Sequence, residues 1–145
     1  MAKRRGFASV DEHDTHIICN WNDVVTKHDM VMLLGDITMG KGDYRILDML
    51  NGKINVILGN HDKHKHVRAM LNHVKGVSGG RKYKNAWITH IPMHPNELYG
   101  LPNIHGHVHS KDIPDNRYFN VSCEAINYRP ILFEAVMESI AAKAL

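Results

Sequence analysis

Lys53-Ile54-Asn55-Val56-Ile57-Leu58-Gly59-Asn60-His61-Asp62 is the stretch whose reading sets the fold. Its first six residues read as a strand, apolar but for two members, and Gly59 ends the run. A glycine there lets the backbone turn sharply and approach a neighbour closely. Three polar residues follow at once. Oxygen and imidazole donors therefore stand where a strand hands over to a loop, which is the rim of a sheet.

The same pattern recurs on both sides. Met30-Val31-Met32-Leu33-Leu34 is a short continuous apolar run, the mark of a buried strand, and it ends in Gly35-Asp36. A strand at 86–89 runs into His90, and a shorter one at 103–105 precedes Gly106-His107-Val108-His109. Four strand ends converging on one rim would make a cage for divalent metal ions, which are effective in hydrolysing phosphate esters. Asp36, just beyond a buried strand, could bridge two cations, and Asn60 offers a neutral carbonyl oxygen. His90, His107 and His109 supply imidazoles suited to Mn, Fe, Ni or Zn. In an extended His107-Val108-His109 the two rings point to opposite faces. They share a site only if the chain turns, or each faces a different metal.

Ser9 and Glu12 have the spacing of a capping box, and Ile17, Ile18, Trp21, Val24 and Val25 recur at helical spacing, so a helix is expected over 10–25. A short helix is expected over 43–50, closed by Asn51-Gly52. Residues 64–73 read as helical with Val67, Met70 and Leu71 inward, and 74–84 as Gly-rich turns with a strand. Pro92, Pro95, Gly100 and Pro102 punctuate a loop. Strands are expected at 118–122 and 131–136, and a helical tail to residue 145. The alternation implies a single α/β sandwich domain over 1–145.

With 43% hydrophobic and 23% charged residues the composition is that of an ordinary globular protein. A net charge of +3 suits an anionic substrate but is too weak to argue for a duplex-binding surface. Cys19 and Cys123 lack CxxC spacing, which excludes a zinc knuckle or a disulfide framework, and both are expected to be buried thiols. The basic start Met1-Ala2-Lys3-Arg4-Arg5 is not followed by the apolar stretch of a secretory signal, and no run reaches the roughly 18 apolar residues of a membrane span. A cytoplasmic protein with no membrane contact is expected.

With Leu33-Leu34-Gly35-Asp36, Leu58-Gly59-Asn60-His61-Asp62, Thr89-His90 and His105-Gly106-His107-Val108-His109 in this order, the chain resembles the calcineurin-like metallophosphoesterase family. Asn20-Trp21-Asn22 and Asn127-Tyr128-Arg129-Pro130 look like a small branch of it found in bacteria and phages. The resemblance spans roughly residues 7–134 and implies a four-layer α/β/β/α sandwich with a dinuclear centre at the strand ends. Asp36 would bridge two divalent transition metals about 4 Å apart. Asn60, His90 and His107 would complete one shell, and His109 would bind the other ion. His61 would lie beside the scissile phosphate as general acid or as donor to the phosphoryl oxygens, and Asp62 would cap the next helix or orient His61. The implied reaction is attack of a metal-activated hydroxide on a phosphodiester or phosphomonoester of nucleotide type.

The family's first motif, a strand followed by Asp-x-His, has no counterpart before residue 30. Asp14-Thr15-His16 matches the letters but falls inside the capped helix, where residues i and i+2 point about 200° apart. One ion then keeps four protein ligands and the other only Asp36 and His109, so a single-metal centre is an alternative. The sheet also lacks a central strand, which a partner chain, as in a homo-oligomer, or a rearranged strand would fill. Two other readings stay open. One is a degenerate, non-catalytic relative that binds one metal or a nucleotide. The other is a basic nucleic-acid-binding module using the groups His64, Lys65, His66, Arg68 and Arg81, Lys82, Lys84. His13 and His28 read as surface residues, His105 as packing beside the site, His94 as a substrate contact or loop surface, and Asn127, Tyr128 and Arg129 as bracing the rim, with a phosphate contact the lesser reading of Arg129.

Overall fold

The structure, a computed structural model, describes residues 2–39 and 42–143. In chain order it contains helix α1 (Val10–Asn22), strands β1 (Met30–Leu33) and β2 (Lys53–Ile57), and the single helical turn α2 (Val67–Met70). Strands β3 (Gly76–Ser78), β4 (Gly80–Tyr83), β5 (Ala86–Thr89), β6 (Asn103–His105) and β7 (Tyr118–Asn120) follow, and helix α3 (Phe133–Lys143) ends the series. One sheet is parallel, in the order β1-β2-β3; the other is mixed, in the order β4-β5-β6-β7, with only β4 antiparallel to its neighbour. The architecture is α/β and compatible with an α/β sandwich. No helix among the described residues is long and apolar enough to cross a membrane.

Each sheet has its own apolar cluster. Ile54 and Val56 of β2 pack with Trp21, Val25, Tyr44, Leu47 and Met70. The Trp21 indole N–H donates to the Asn51 carbonyl at 2.8 Å, and Asn22 and Asn51 exchange further bonds with the turn before β2. These contacts fix α1 against the entry to β2. On the second sheet Ala86 and Ile104 pack with Val136 and Ile140 of α3, with Phe119 and Phe133 alongside. The parallel registers align Leu33 with Val56, Thr89 with His105 and His105 with Asn120. The carboxyl ends of β1 and β2 therefore open at one rim, and those of β5, β6 and β7 at another.

Half of the capping box forms: Ser9 Oγ accepts the Glu12 N–H at 3.0 Å, while the Glu12 carboxylate reaches one residue further back and accepts the Ala8 N–H. Other boundaries move. α1 stops at Asn22, and Val25 reaches the core from the turn beyond it. The expected helix at 43–50 is a 3-10 segment, Arg45–Met49, and that at 64–73 is a 3-10 turn plus α2, with Leu71 exposed. Segment 74–84 holds two strands, because Gly79 carries the chain from one sheet to the other. The expected strand at 131–136 is instead the start of α3. Phe133, Val136, Met137 and Ile140 recur at helical spacing and face the sheet, whereas 131–136 taken alone, apolar but for Glu134, is too short to show that period. Residues 144–145 of the expected helical tail lie outside the described residues. Cys19 is exposed and Cys123 half-buried rather than both buried.

His105, expected to pack beside the site, is 1% exposed. Its Nδ1–H donates to the Gly106 carbonyl at 3.0 Å, and its ring meets Tyr118 edge-on. Burial lowers its pKa from the ordinary 6.5 by disfavouring the imidazolium. The unfolded chain then binds a proton that the native state resists. Stability from neutral His105 is thus full above 6.5 and is lost as pH falls from there toward the native value. His105→Phe should therefore flatten the acid side of the stability profile. Urea denaturation at a series of pH values is expected to show a slope smaller by up to about 1.4 kcal/mol per pH unit just below the ordinary histidine pKa.

Candidate metal centre

The site begins with two loops that touch backbone to backbone. Gly35 has φ +73°, and a Cβ there would stand 2.3 Å from the Gly59 nitrogen; a Cβ on Gly59 would stand 2.2 Å from Asp36 Oδ1. Only glycine fits at either place. Asp62 locks the contact. Its Oδ2 accepts the N–H of Asp36 at 2.7 Å and of Gly59 at 2.9 Å, and its Oδ1 accepts the N–H of Ile37 at 3.2 Å. Asp62 thus neither caps a helix nor orients His61: it clamps the ends of β1 and β2 together. Asp36 is held at φ +56°, and its Oδ1 accepts the His61 N–H at 2.9 Å.

The second sheet brings the imidazoles. His90, buried, donates its Nδ1–H to the Leu34 carbonyl and so joins the two rims. That bond makes Nδ1 the donor and, in the neutral ring, leaves Nε2 with a lone pair. Around Nε2 stand Asn60 Oδ1 at 3.1 Å, Asp36 Oδ2 at 3.2 Å and His107 Nδ1 at 3.3 Å. Asn60 and Asp36 present only acceptors there, and a neutral His90 cannot supply a proton to either. Lone pairs crowded in this way call for a cation, and ligand atoms of Asp36, His90 and His107 all lie within 4.8 Å of one another. Two imidazoles, a carboxylate and an amide oxygen make a mixed N/O set that suits a first-row divalent ion.

A tight turn divides the two remaining histidines. The Val108 N–H donates to the Gly106 carbonyl at 2.8 Å, with His107 at φ +69° and His109 at φ +55°. His107 joins the cluster. His109 does not; its Nδ1 meets Glu124 Oε1 at 2.9 Å. The ring of His61 is exposed at the rim, tied to the cluster only through its backbone. Of the site residues expected from sequence, Asp36, Asn60, His90 and His107 are gathered, while His109 and His61 stand outside that group. Asp14 and His16 lie on α1 and engage His13 and Asn20.

Two residues that the sequence reading passed over complete the surroundings. Glu124 Oε1 also accepts the Arg5 Nε–H at 2.8 Å, and Arg5 Nη1 donates to His13 Nε2 at 2.9 Å. His13, expected at the surface, is buried under Phe7 and Tyr128. Burial pushes the Glu124 carboxyl up, but hydrogen bonds from Arg5, the backbone and His109 outweigh it and hold it below the usual range. A signal was available, since Glu124 follows the β7 strand end as the other donors follow theirs. Arg5, in a short 3-10 segment (Ala2–Arg5), gave none.

Asp62→Asn keeps the shape but offers one acceptor oxygen where three N–H groups need two. Unfolding in urea should show a loss of about 2–4 kcal/mol, and the purified variant should retain less metal than the parent.

No family model matches the chain. The crystal structure of a protein of unknown function from Aquifex aeolicus, AQ665, superposes with a TM-score of 0.68 at 20% identity, covering 94% of this chain and 89% of that one, a likeness of fold. The Gene 66 protein of Mycobacterium phage L5 is 43% identical over 58 residues, 37% of this chain and 28% of its own length. Its counterpart in Mycobacterium phage D29 is 41% identical over 69 residues. The uncharacterized protein MJ1445 of Methanocaldococcus jannaschii is 33% identical over 149 aligned residues, which cover 94% of this chain and 80% of that protein. The chain therefore belongs to the same family as MJ1445.

Proposed function

We propose that this chain is a metal-dependent phosphoesterase of the calcineurin-like type, built as an α/β/β/α sandwich. One observation carries the reading: the lone pairs of Asp36, Asn60, His90 and His107 converge where strand ends of two sheets meet. A divalent transition ion held there would polarise a phosphoryl oxygen and lower the pKa of a bound water. Asp36 contributes the charge, and the Leu34 carbonyl keeps His90 Nε2 aimed at the cluster. His61, exposed at the rim, is free to meet a phosphate ester and to donate a proton or hydrogen bond to it. The substrate class proposed is a phosphodiester or phosphomonoester of nucleotide type.

A second reading is favoured by the position of His109, which is turned to Glu124 rather than to the cluster. On that reading the chain holds a single ion. Elemental analysis of purified protein separates the two, with about one metal per chain for the single-ion centre and about two for the dinuclear one.

The activity itself is tested on protein stripped of metal and reloaded with Mn or Ni, using a generic chromogenic diester. Turnover should require the metal, and Asp36→Asn should reduce it by more than about 100-fold, since loss of a ligand's supporting residue alone costs 10–100-fold. A metal-loaded chain without turnover above background would remove the hydrolase reading and leave the binding one.

A further inference from the structure

Asn103, the first residue of β6, is 0% exposed. A side-chain amide in such a place is costly unless its oxygen and its nitrogen both find partners. Here they do. Oδ1 accepts the Met93 N–H at 2.9 Å, and Nδ2 donates to the Thr89 hydroxyl at 3.0 Å and to the Trp87 carbonyl at 3.2 Å. These neighbours fix the polarity of the amide, since a backbone N–H requires its oxygen and a carbonyl requires its N–H. The Thr89 oxygen, having accepted a proton from Asn103, donates its own to the Ile91 carbonyl at 2.7 Å.

His90 lies between the two ends of that last bond. The chain leaves β5 at Thr89 and bends at His90 and Ile91. A bond from the side chain of residue 89 to the carbonyl of residue 91 closes the bend into a ring. The Met93 N–H, two residues further on, returns to the same Asn103 amide, and the Tyr118 hydroxyl donates to the Met93 carbonyl at 2.6 Å. Within the bend, the His90 carbonyl accepts the Gly106 N–H at 3.0 Å. An imidazole turns about only two side-chain torsions, so the direction in which its Cβ leaves the backbone decides where its ring can reach. With Nδ1–H given to Leu34, that direction sets the place of Nε2 among Asn60, Asp36 and His107.

We propose that Asn103, acting through the Thr89 hydroxyl, is a positioning residue for His90 as a metal ligand. This rests on the reading of Asp36, Asn60, His90 and His107 as an ion site. Neither Asn103 nor Thr89 touches the cluster; each acts on the bend from which the His90 ring departs. Groups that hold a ligand from behind are commonly worth about 10–100-fold in metal affinity. Valine has the shape and strand preference of threonine, so Thr89→Val deletes the hydroxyl and keeps the strand.

The test uses the full chain, stripped of metal, with Ni titrated against a chromophoric chelator and exchange of the His90 Nδ1–H followed by NMR before Ni is added. Thr89→Val is expected to weaken Ni binding and to speed that exchange, each by about tenfold or more. Thr89→Ser restores the hydroxyl and should stay within about threefold of the parent in both measurements. Val136→Ala, in the apolar cluster of the same sheet, lowers stability without reaching the bend and should leave Ni affinity unchanged. Parent-like Ni affinity in Thr89→Val would overturn the proposal. So would an equal loss in Val136→Ala, since the hydroxyl would then act on stability alone. A parent that binds no Ni would remove the ion site instead; the exchange rates then decide, and equal rates in the parent and Thr89→Val overturn the positioning role too. If Thr89→Val does not fold, Thr89→Ala removes the same hydroxyl and takes its place.

Discussion

The carboxylate of Asp62 receives the backbone N–H groups of Gly59, Asp36 and Ile37, and the geometry of the site descends from that. Two loops that leave different strands are drawn to within contact of each other, with Gly35 against Gly59. A charged acceptor makes stronger bonds than a neutral one, and buried donors are expensive to leave unmade. The clamp therefore has the strength to hold Asp36 at a positive φ, a conformation that costs on the order of 1–3 kcal/mol and persists only where its surroundings over-determine it. Asp36 in turn presents one oxygen to the His61 N–H and the other toward His90.

From there the chemistry is one of arranged lone pairs. His90 is the link between the sheets: one ring nitrogen is committed to Leu34, and the other looks at Asn60, Asp36 and His107. A cluster of acceptors is destabilising by itself and favourable around a cation, so folding of this rim and ion binding are coupled. A second polar chain, from Glu124 through Arg5 and His13 to Asp14, runs beside it and captures His109. The turn at Gly106 is what sends two histidines only two residues apart into different networks.

What could be read from sequence was local. Ser9 and Glu12 announce a helix start because both partners lie within one turn, and Gly35-Asp36 or Thr89-His90 announce a strand end because a polar donor follows an apolar run. The α3 start differs from its expectation for the same reason: 131–136 is apolar but for Glu134, and six residues are too few to tell a strand from the first turns of a helix. Asp62 was misread because its partners come from two loops that meet only after the sheet has formed. Its neighbour in sequence, the turn after β2, is equally consistent with a cap. His13 and Arg5 escaped because a ring that covers the one, Tyr128, and the carboxylate that pairs with the other, Glu124, lie more than a hundred residues away.

The open edge of β1 and the candidate centre are parts of one structure. The Lys53 N–H bonds the Asp29 carbonyl, so by the alternation of a parallel ladder Val31 and Leu33 bond β2 and the Leu34 carbonyl points away from it, and it is there that His90 delivers its N–H. An imidazole from the second sheet thus occupies the last rung of a ladder whose earlier rungs are vacant among the described residues. The position of His90 is set by the backbone of the very strand that lacks a neighbour. The backbone at the end of β1 thus sets the aim of His90 Nε2, and with it the distances to Asn60, Asp36 and His107. Order at the end of β1 and order at the ion site are coupled through that single carbonyl.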